Sequence, residues 1–162
     1  MFFDFSQTRP ERTGWRDEKL SRRHREWGFN CPAIDIDFLM IEYNQGEPVA
    51  IIDYKRFTGS IKNVHPNSIS AISQLADNSS IPFFVVYYWE DIWAFSIIPI
   101  NEIAKNCLKG REKKILTEQE YVSFLYELRK IKLTEQEEQI IKSLNNKLPQ
   151  ISHMDDNQVP NA

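Results

Sequence analysis

The stretch that most limits what this chain can fold into is Pro32-Ala33-Ile34-Asp35-Ile36-Asp37-Phe38-Leu39-Met40-Ile41-Glu42-Tyr43, which meets Asn44-Gln45-Gly46 and continues as Pro48-Val49-Ala50-Ile51-Ile52-Asp53-Tyr54-Lys55. It places ionised side chains inside a pattern of buried strands. Alternation along a strand puts Asp35, Asp37, Leu39 and Ile41 on one face and Ile34, Ile36, Phe38 and Met40 on the other. Apart from the acids both faces are apolar, as in a strand covered on both sides. A carboxylate in such a strand is costly unless it is paired, hydrogen-bonded or bound to a metal.

A hairpin loop at Asn44-Gln45-Gly46, with Gly46 at the positive φ such loops use, sets Tyr43 opposite Glu47. The ladder then pairs Ile41 with Val49, Leu39 with Ile51, Asp37 with Asp53 and Asp35 with Lys55, so all four charged residues share one face. Directly opposed residues have Cβ atoms roughly 4.5–5.5 Å apart, and facing aspartates need a cation or a shared proton. Carboxylate oxygens suit magnesium, which binds through only one or two protein carboxylates and keeps several waters. A loop one residue longer or shorter places Asp37 and Asp53 on opposite faces of the sheet, barring a bulge. A solitary Asp-x-Lys is usually a polar strand end, whereas two acids facing an Asp-x-Lys on the neighbouring strand read as a site.

Asp37 followed by Asp53-x-Lys55, on two antiparallel strands after one helix and before another helix and strand, resembles the PD-(D/E)xK nuclease superfamily. The segment Arg23-His24-Arg25-x-Trp27-Gly28, running into Pro32-Ala33-x-Asp35-x-Asp37-Phe38-Leu39, is also similar to uncharacterised bacterial and phage proteins placed there. The likeness covers about residues 15 to 104. It implies an α/β, restriction-endonuclease-like core with a mixed β-sheet flanked by helices over residues 1–110. Position by position, Asp37 matches the acid that opens the metal site, Asp53 the second acid and Lys55 the lysine, with Asp35 a rival for the first role. Many members add a glutamate from the preceding helix, for which Glu26 is nearest and Glu18 next. The superfamily core also has a strand before the first-acid strand. Only Phe29-Asn30-Cys31 lies there, unless Met1-Phe2-Phe3-Asp4-Phe5 substitutes for it.

The chemistry this resemblance implies is metal-assisted hydrolysis of a phosphodiester, in DNA rather than RNA. Asp37, Asp53 and the main-chain carbonyl of Tyr54, with Asp35 and Glu26 as further candidates, would hold one or two magnesium ions, or manganese. Lys55 would orient or polarise the attacking water and offset charge on the phosphate. Without metal the two acids would have raised pKa values, and with metal they would be ionised, so magnesium would also stabilise the fold. The other class compatible with these residues is a nuclease-like subunit that binds nucleic acid or protein without turnover, since function resides in the site rather than the fold. No Gly-rich phosphate loop or Ser/Cys–His constellation signals another kind of enzyme.

At 162 residues, 41% hydrophobic and 12% aromatic, the chain has enough for an ordinary core. Its longest apolar run, Ile81 to Trp89, contains Pro82 and falls short of the ~18 residues of a membrane helix. No secretory pattern follows Met1, so the reading is a cytoplasmic protein with no membrane partner. Cys31 and Cys107 are isolated thiols, and His24, His65 and His153 lack zinc-like spacing. His65, in the loop after Lys55, is a candidate to approach the cleft. The net charge is −3, but residues 9 to 30 carry seven basic and four acidic residues. Arg22, Arg23 and Arg25 there are candidate phosphate-backbone contacts, or else a solvated helix face.

The remaining order follows from periodicity. A helix is predicted over about Asp17–Trp27, with Leu20, His24 and Trp27 on one face and Gly28 as its stop. After a loop comes a helix over about Asn67–Ala76, in which Gln74 reads as a surface residue or one facing the site. Pro82–Trp89 reads as a central strand, returned by Glu90-Asp91 into a strand over Ile92–Ile98. Thr-Glu-Gln-Glu occurs at Thr117–Glu120 and again at Thr134–Glu137, two capping boxes ahead of apolar periodic positions. These helices form a C-terminal extension over 111–148 that packs on the core or on a partner, which includes a second copy in a homodimer. From Pro149 the composition turns polar, and residues 149–162 read as a disordered tail.

Overall fold

The most apolar runs of the chain become the two central strands of one sheet. In the computed structural model the described residues are 18–26, 34–42, 45–59, 66–111 and 114–145. The first unit, Met1–Ile34, contributes helix α1 (Glu18–Glu26). The second, Asp35–Ala162, holds β1 (Phe38–Glu42), β2 (Glu47–Arg56), α2 (Pro66–Asn78), β3 (Phe83–Trp89), β4 (Ala94–Pro99), α3 (Glu102–Cys107), α4 (Glu118–Leu128) and α5 (Glu135–Asn145). The sheet is mixed and runs in the order β1-β2-β3-β4. β1 is antiparallel to β2, β2 is parallel to β3, and β3 is antiparallel to β4. This is an α/β architecture.

The hairpin holds the expected register by an unexpected route. Phe38 faces Ile52, Leu39 faces Ile51 and Met40 faces Ala50, but Ile41 then faces Pro48 and Glu42 faces Glu47. The connection is therefore one residue longer than the Asn44-Gln45-Gly46 loop predicts, with Gly46 N–H donating to the Glu42 carbonyl at 2.8 Å. A bulge between Met40 and Ile41 leaves Val49 without a partner and restores the phase. Two-versus-one opposition at a bulge offsets the extra loop residue, so Asp37 and Asp53 stay on one face.

A second expectation is corrected. β1 is an edge strand rather than a buried one, and Leu39 is 51% exposed, with Phe38 and Ile41 also open. Among the described residues β1 pairs with β2 alone. The edge is held by a T-shaped contact between Phe38 and Tyr54 and by Arg129, at the end of α4, donating from Nε and Nη2 to the Glu42 carboxylate at 3.0 and 3.3 Å.

Each sheet face has its own cover. Ala50, Ile52, Phe84, Val86 and Phe95 pack against Ala104, Leu116, Tyr121 and Phe124, so α3 and α4 lie on one side. Phe84 and Phe124 meet edge to face at 5.4 Å. Ile51 and Phe83 point to the other side, against Ile72, Ala76 and Ile81 of α2 and its exit. Both predicted capping boxes form: Thr117 and Glu120 exchange hydrogen bonds of 2.8 and 3.3 Å, as do Thr134 and Glu137.

The turn after β3 is longer than Glu90-Asp91. β4 begins at Ala94 because Trp93 adopts φ +45° to reverse the chain, and its ring stacks on Tyr88. Helix α3 has no counterpart in the sequence reading. Its N-cap, Asn101, is buried, and its Oδ1 accepts from Phe83 N and Ala104 N while its Nδ2 donates to Asp77 and the Ile81 carbonyl. That one amide ties α2, β3 and α3 together.

Gly46 sits at φ +68°, and a Cβ there meets nothing within 4 Å. Gly46→Ala therefore costs backbone strain alone, about 1–2 kcal/mol, and Gly46→Asn costs less because asparagine tolerates this region. Urea denaturation of the three proteins checks the order.

Candidate hydrolytic site

Alternation from the buried Ile51 places Asp53 and Lys55 on the α2 side of the sheet, toward the carboxyl end of β2. Asp53 is the buried acid: its side chain is 11% exposed, against 43% for Asp37 just before the edge strand. The costly carboxylate of the hairpin is thus on β2 rather than β1. Lys55 Nζ donates to Asp53 Oδ1 at 2.5 Å and lies 3.9 Å from Asp37 Oδ2. Three of the residues singled out in the sequence converge.

The Asp37 carboxyl feels both Asp53 and Lys55. The Asp37 carboxyl is held above its ordinary value of 3.8, first because its protonated form hydrogen-bonds Asp53, then through partial burial and the Asp53 charge, while Lys55 opposes the shift. Asp53 anchors Lys55, and protonation of Asp37 relieves its repulsion with the Asp53 carboxylate.

Tyr54, between the acid and the lysine, turns its ring to the opposite face, where its hydroxyl meets that of Tyr121 at 2.6 Å. Only its main chain is left for a role beside Asp53. Asp35 and Asp37 both precede β1 and are off the ladder, so neither the predicted pairing of Asp35 with Lys55 nor that of Asp37 with Asp53 forms as a strand pair. Glu26 belongs to α1, where it takes the Arg23 guanidinium at 2.9 Å. Arg22 and Arg23 are on the exposed surface of that helix. The side chains of Glu18, His24 and Arg25, and residues 1–5, 29–31, 65 and 149–162, lie outside the described residues. Gln74 is exposed and reaches back to Ser70 at 3.4 Å, a surface position. Cys107 is a half-buried free thiol.

The register of β3 adds a residue that periodicity does not single out. Tyr87 faces Lys55 across the parallel pair, and burial pushes its phenol up, with Lys55 and Asp53 acting on it in opposite directions. Beyond it the rings of Phe57 and Trp89 pack 4.9 Å apart. In the sequence Tyr87 is one of seven consecutive apolar or aromatic strand residues, and only its pairing partner marks it.

No family model, no curated protein and no solved structure matches this chain. Among the described residues no three His, Cys, Asp or Glu side chains form a metal-sized group, and no helix is long and apolar enough to cross a membrane.

Because Asp37 binds its proton more tightly folded than unfolded, its own contribution to metal-free stability is fully present below the ordinary aspartate value of 3.8 and is lost as pH rises through the raised folded value. Asp37→Asn removes that loss. Denaturant midpoints of both proteins across the acid range, in EDTA, check the sign.

Proposed function

We propose that this chain is a magnesium-dependent phosphodiester hydrolase acting on DNA, of the PD-(D/E)xK kind. The observation that carries the reading is the convergence of Asp37, Asp53 and Lys55 on one sheet face, with Lys55 anchored to Asp53 and 3.9 Å from Asp37. Two neighbouring carboxylates are a place where a hard cation relieves the repulsion between them. Two carboxylates are the protein share that magnesium takes, so the donor set fits. Asp37, Asp53 and the main-chain carbonyl of Tyr54 hold the ion, which when bound supplies Lewis acidity and a more acidic water.

The chain's own residues supply the rest. Asp37 gives up its raised proton in the working form. Lys55, fixed at the rim by Asp53, aligns the attacking water and offsets the charge that grows on the phosphate as the phosphorus–oxygen bond to the leaving group breaks. Asp37, at the start of the exposed edge strand, leaves the face open to a polymer. Arg22 and Arg23 are proposed to contact phosphates through charge alone.

Cleavage of labelled single-stranded, duplex and branched DNA should appear with magnesium or manganese and vanish in EDTA. Asp53→Ala and Lys55→Ala should each lower kcat/KM by on the order of 10³. Equal activity in parent and variants removes these residues from the mechanism. Tight, metal-independent binding without cleavage makes the chain a binding subunit instead.

A further inference from the structure

β3 sends one polar side chain to the face that carries Asp53 and Lys55. Lys55 is paired with Tyr87 across β2 and β3, so both side chains project to that face. Tyr87 is 3% exposed, yet its hydroxyl has no hydrogen-bond partner among the described residues. It is also not one of the sealed orphan atoms, which are Trp89 Nε1 and Glu118 Oε2. The ring is held by burial, and the rings of Phe57, just past β2, and Trp89 pack together beyond it.

A buried phenol normally finds a partner for its hydroxyl. The phenol lies on the face where Lys55 Nζ, paired with Asp53, supplies a cation. The ligand that satisfies both is an anion with several acceptor oxygens, and phosphate has that chemistry.

We propose that Tyr87 is a substrate-contacting residue whose hydroxyl donates to a non-bridging oxygen of the phosphate drawn to Lys55. This deepens the hydrolase reading and rests on it for the identity of the substrate, while the phosphate contact can be measured by itself. Tyr87 then shares with Lys55 the task of holding the phosphate and balancing its negative charge, and no proton leaves the phenol.

The test uses the full chain and its Tyr87→Phe variant, which keeps the ring and loses only the oxygen. Thermal unfolding is followed with magnesium, with and without inorganic phosphate, and DNA cleavage is measured in parallel. Phosphate should raise the parent Tm, Tyr87→Phe should match the parent without phosphate and lose most of the phosphate-induced rise, and kcat should fall by on the order of 10². A lost rise in Tyr87→Phe with no cleavage by the parent upholds the contact and defeats only the hydrolase reading. An equal rise in both proteins, or a rise in neither, overturns the inference.

Discussion

The parallel pairing of β2 with β3 is the constraint on which the rest depends. Parallel strands cannot be joined by a tight turn, so the chain must cross over, and α2 is the helix that does so. Its apolar side covers Ile51 and Phe83, which leaves Asp53 and Lys55 toward the carboxyl end of the strand. Open α/β sheets place ligand sites at strand carboxyl ends for this reason. The same pairing puts Tyr87 opposite Lys55.

Within that frame the acids are governed by one bulge. The loop between β1 and β2 carries a residue too many for the simple register, and the unpaired Val49 cancels it. Without the bulge Asp37 and Asp53 would face opposite layers. A partly buried ion pair such as Asp53–Lys55 adds little net stability over an apolar pair of similar volume.

Much of this was legible from residue types. Asp37, Asp53 and Lys55 stood out because strand alternation is strict, and Thr117-x-x-Glu120 and Thr134-x-x-Glu137 announced their helices because a capping box is local. What escaped were relations between segments. Apolarity on both faces of β1 could not reveal an edge, since exposure depends on whether a further strand arrives. Asn101 looked like an ordinary boundary residue, yet it satisfies four hydrogen bonds from three elements. Tyr87 carries no sign of its partner Lys55, which lies 32 positions earlier in the chain.

The central claim is that Asp37 and Asp53 form a cation site. Manganese titration followed by electron paramagnetic resonance tests it most directly, with the parent compared to the Asp37→Asn/Asp53→Asn double variant. The account predicts saturable manganese binding in the parent, competed by magnesium and absent from the double variant. Equal binding by the two proteins would contradict it.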